Sequence, residues 1–71
     1  MNNDERLHHK VMRYAEAEIQ AILLGHGATL FRYDQLMAML GGYVHCNIIS
    51  QSEADEIRGD ARVAFDNCLF H

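Results

Sequence analysis

Apolar residues recur along residues 7–22 at helical spacing. Wound at about 100° per residue, Leu7, Val11, Ala15 and Ile22 form one stripe, with Met12 and Ile19 on its shoulder. Asn3 stands ahead of this run as an N-cap, and Asp4 and Glu5 occupy a first turn where the helix dipole favours carboxylates. "GHGAT" closes it, because Gly25 and Gly27 can take positive φ without a Cβ clash. The pattern predicts a first helix over residues 3–24.

Tyr33, Leu36, Met37, Leu40 and Val44 recur at i, i+3, i+4, i+7 and i+11, which is one face of a second helix, over residues 30–44. Its start falls between Thr29 and Arg32. Gly41-Gly42 loosens it, at roughly 1 kcal/mol per glycine relative to alanine. Residues 41–49 are therefore open between helix and loop, and a strand over "YVHCNII" would have no second strand to pair with.

"SQSE", residues 50–53, is a capping box: the Ser50 hydroxyl can accept the Glu53 N–H while the Glu53 carboxylate reaches back. Ile49 precedes the cap and can staple onto Ala54. Ala54, Ile57, Ala61, Phe65 and Cys68 follow as a narrow inward stripe, predicting a third helix over residues 51–69 that Gly59 weakens. The expectation is one all-α domain spanning residues 1–71, a small three-helix fold. The stretch "NIISQSEADEIR" resembles the short helical hairpins known as SHOCT modules, in which a helix ends, Ile-Ser or Ile-Thr follows and a Glu opens the next helix. Capping chemistry alone accounts for this likeness, the Leu and Lys pattern around that family's motif is missing, and no function is carried over from it.

At 71 residues the chain buries only about 60% of the surface its unfolded form exposes, so a lone core is marginal and a partner chain is one common remedy. An apolar fraction of 49% suits a globular protein rather than a disordered one. The net charge of −4 leaves little to gain from releasing counterions on nucleic acid. With no signal-peptide core and no apolar run long enough to span a bilayer, the composition points to a cytoplasmic protein with reduced thiols.

Candidate chemistry is thin. Cys68 and His71 form a C-x-x-H, with His45-Cys46 upstream, but adjacent residues seldom reach one zinc ion together and Cys68 sits on an apolar stripe. No metal and no cofactor are expected. No G-x-S-x-G, H-E-x-x-H, phosphate-binding loop or dinucleotide fingerprint occurs, and three short helices rarely enclose a water-excluding site, so the chain does not read as an enzyme. A helix-turn-helix built on the "GHGAT" joint would have to read bases with Arg32 and Gln35. Such a DNA-binding regulator is the alternative reading.

Contact with protein is the favoured one. Phe31, Met39 and Tyr43 fall off the inward stripes, as contact residues would. Glu53, Asp55, Glu56 and Asp60 make an acidic surface on helix three. His8 and Glu18, by contrast, fall inside the apolar arc of helix one. The plain reading is that each lies at the edge of the face or satisfies a backbone group; alternatively, an antiparallel second copy would bring His8 against Glu18 twice and place Val11, Ala15 and Ile22 in the same seam. The sequence is thus read as a homodimer that binds an unidentified partner protein, acting as a regulator or inhibitor. A phage or mobile-element product directed at a host transcription factor, nuclease or defence complex would have this composition.

Overall fold

The turn between the first two helices holds two residues with left-handed backbone, Gly25 and Gly27, and the turn between the last two holds one, Asn47. The structure is a computed structural model that describes residues 3–68. Helix α1 (Asn3–Leu23) ends where Gly25 takes φ 73°. The Gly25 N–H then donates to the Ile22 carbonyl and the His26 N–H to the Ala21 carbonyl, at 3.1 and 2.9 Å. Helix α2 (Thr29–His45) ends the same way at Asn47, φ 60°, with the Asn47 N–H on the Val44 carbonyl at 3.0 Å and the Ile48 N–H on the Tyr43 carbonyl at 2.9 Å. Both are Schellman closures, which satisfy carbonyls that a helix end would otherwise leave bare. Asparagine tolerates this conformation better than other residues with a Cβ.

Gly41 and Gly42 therefore do not end α2. Both point outward, while Leu40 and Val44 on either side pack inward and carry the helix through to His45. No strand forms among the described residues. Helix α3 (Gln51–Asp66) opens with the full capping box at Ser50 and stops at Asn67, short of residue 69, which lies outside the described residues. Helix α1 begins at Asn3, where the sequence predicts its start.

His8 meets Glu53, near the starts of α1 and α3, and Glu18 meets Arg32, near the end of α1 and the start of α2. So α1 and α3 run in one direction and α2 runs against both. Val11, Ala15, Leu36, Leu40, Ile49, Ala54, Ile57 and Ala61 form the shared core. Two expectations need correction. Phe65 lies on the shoulder of α3, its ring tilted 39° to that of Tyr33 with centroids 5.2 Å apart, and Ala64 takes the buried position. Leu7 stays 44% exposed beside the α2–α3 turn, because α2 ends before it can cover that part of α1. Among the described residues no helix is long and apolar enough to cross a membrane.

Candidate functional site

His8 and Glu18 sit on opposite shoulders of the buried face of α1, and each pairs with a different helix. His8 Nε2 lies 2.7 Å from Glu53 Oε2. The other oxygen of Glu53 accepts the Ser50 backbone N–H at 2.8 Å, while the Ser50 hydroxyl accepts the Glu53 N–H at 3.0 Å. The Ser50 N–H, first, and the His8 contact, second, hold the Glu53 carboxyl below the ordinary glutamate range. On the opposite shoulder, Arg32 Nη1 donates to both Glu18 oxygens, at 3.2 and 3.0 Å, and its Nε donates to the His26 carbonyl at 2.8 Å. One guanidinium thus ties α1, the turn and α2 together.

These contacts replace the expected pairing of His8 with Glu18 of a second copy. Both misfit residues find partners inside one chain. Val11, Ala15 and Ile22 are buried by the chain's own helices, so a folded protomer does not present them as a seam. Met39 is half-buried and accepts the Tyr14 hydroxyl on its sulfur at 3.4 Å, and Tyr43 is half-buried against the core. Burial, ahead of the nearby Glu18, raises the Tyr14 pKa above 10.0. Phe31 stands 63% exposed. With Tyr14, Glu18, Ala28, Arg32 and Gln35 it lines an open groove of about 320 Å³. Arg32, a base reader in the DNA-binding alternative, is committed to Glu18 and His26, which leaves Gln35 without it.

The acidic surface divides in two. Glu53 belongs to the cap and to His8, and Asp55 accepts from Arg58 at 3.2 Å and Gln51 at 2.9 Å. Glu56 and Asp60 face α1 instead. Together with Glu16 they rim a second groove, of about 400 Å³, whose floor is Met12, Ala15, Ile19 and Ile57. None of these three carboxylates forms an ion pair with another described residue. The arginines of α3 are turned to its other side: Arg58 pairs with Asp55, and Arg62 with Asp66 at 3.3 Å. This segregation follows from spacing, since residues 56 and 60 share one helical row and 58 and 62 another. A net charge summed over the helix hides it.

Among the described residues no group of three or more His, Cys, Asp or Glu is placed to hold a metal ion. Cys46 is exposed at the end of α2, Cys68 is buried, both are free, and His71 lies outside the described residues. Set against known proteins, the chain matches no family model, no curated protein and no solved structure.

Proposed function

We propose that the chain acts by protein contact, as a small cytoplasmic regulator or inhibitor that pairs with a second copy of itself and binds a partner protein. The observation supporting this reading is the display of Leu24, Leu30 and Phe31 around the α1–α2 turn, at 43%, 59% and 63% exposure. None of the three belongs to the core. Covering such surface is worth about 25 cal/mol per Å² removed from water, and large apolar side chains gathered at one end of a small domain mark contact surfaces. Host transcription factors, nucleases and defence complexes are the targets that an inhibitor encoded by a phage or mobile element would take. DNA reading by α2 has less support, because Arg32 is already engaged.

Affinity capture with the wild-type chain and with a Leu30→Ser/Phe31→Ser variant tests the reading. Both side chains are exposed, so the variant keeps the wild-type fold. The wild type should retain one protein at fixed stoichiometry, reproducible with purified components, and the variant should lose it. An unchanged set of captured proteins, or steeply salt-dependent binding to duplex DNA in its place, would overturn the proposal.

A further inference from the structure

The outer face of α1 carries a row of cations with no acid partner among the described residues. Arg6, Lys10 and Arg13 are all exposed, and none pairs with a described acid. Their spacing of four and three residues puts them on one side of the helix. The remaining cations, Arg32, Arg58 and Arg62, are each held by an acid of the same chain. Beside this row, on the α3 side, lies the groove whose rim acids Glu16, Glu56 and Asp60 are equally unpaired. One molecule therefore shows two complementary surfaces that adjoin along α1, closest where Arg13 and Glu16 stand three residues apart, with Glu56 and Asp60 across the groove from the cation row.

We propose that a second copy of the chain occupies the α1/α3 groove, laying its own Arg6–Lys10–Arg13 row against Glu16, Glu56 and Asp60 and receiving the same contact in return. A two-fold axis running along α1 makes both contacts at once, because the donating and accepting surfaces lie on either side of that helix. It also sets the direction. The two copies of α1 then lie side by side in the same direction. The aliphatic stems of the arginines and lysine cover Met12, Ile19 and Ile57 on the groove floor while their heads reach the carboxylates. This inference rests on the self-pairing part of the proposed function and moves the contact from the buried face of α1 to its outer face.

Sedimentation equilibrium of the full chain, its acid-reversed variant Glu16→Lys/Glu56→Lys/Asp60→Lys and its base-reversed variant Arg6→Glu/Lys10→Glu/Arg13→Glu tests it. All six positions are exposed. The neutral variant Glu56→Gln/Asp60→Asn repeats the test with little change to the fold. Wild type should dimerise more weakly as salt rises, and the neutral variant should lose about tenfold in affinity. Each reversed variant alone should be monomeric, and the two mixed in equal amounts should form a heterodimer. A wild type that stays monomeric overturns both the inference and self-pairing itself. Reversed variants that still dimerise alone, or that stay monomeric when mixed, overturn the inference and leave self-pairing to another face.

Discussion

The imidazole of His8 on α1 and the carboxylate of Glu53 on α3 lie 2.7 Å apart, joining the starts of two parallel helices through a residue that already serves as half of a capping box. Glu53 is therefore held on both oxygens, by Ser50 on one and His8 on the other. A residue that local sequence assigns to capping is also a long-range tie.

That double hold has a pH signature. The folded-state pKa of Glu53 lies below its ordinary value of 4.5, chiefly through the Ser50 N–H. A depressed carboxyl pKa contributes stability that is fully present above the unfolded value and is lost as pH falls through the folded one. Glu53→Gln should lower the thermal midpoint near neutral pH, and the gap to wild type should narrow as the pH is taken from about 6 to about 3. A gap that stays constant across that range would show that the charge on Glu53 contributes nothing.

Ser50→Ala should cost about 1 kcal/mol through loss of the cap. Ala61 is completely buried, so Ala61→Glu should be far worse, placing a carboxylate where no water or partner can reach it. Denaturant titration of the two variants checks both size and order. An unfolding midpoint for Ala61→Glu equal to that of wild type would contradict the packing of α3.

Gly41 and Gly42 lie inside α2 with nothing within 4 Å of where a Cβ would stand. Replacing each with alanine should stabilise the chain by roughly 0.5–1 kcal/mol, raising the thermal midpoint by several degrees in a domain of this size. Destabilisation would mean that α2 needs its glycines for a break or for a close approach of another molecule.

Arg32 holds Glu18 and the His26 carbonyl together. Arg32→Ala should therefore cost more than Glu18→Ala, and a double-mutant cycle should give a coupling of about 0.5–1 kcal/mol, since the pair is partly exposed. Strict additivity of the two losses would mean that the bidentate contact is absent in solution.

Thiol reagents should separate the cysteines. Cys46 is exposed and Cys68 buried, so Cys46 should be modified quickly in the folded protein and Cys68 only as fast as the chain opens. Equal rates would place Cys68 at the surface.

The three helices, the turn at Gly25 and the box at Ser50 were legible residue by residue, because the interactions that make them span no more than about five positions. Helical periodicity, an αL glycine and a reciprocal cap need no knowledge of what lies across the core. The end of α2 shows where such reading fails: it chose between two local signals, and the outward-facing Gly41-Gly42 pair lost to Asn47 because Leu40 and Val44 are held by neighbouring helices. Packing also settled the edges of each stripe. A residue some 60° off the centre of a helical face is buried, paired or bare according to which helix lies on that side, and a single helix carries no record of this. So Phe65 and Ala64 exchanged roles, Leu7 stayed uncovered, and His8 and Glu18, which share one arc of α1, were drawn to Glu53 on α3 and Arg32 on α2. The opposed surfaces of α1 and the α1/α3 groove arise in the same way, since Glu16, Glu56 and Asp60 come from two helices 40 residues apart and meet only when those helices pack in parallel.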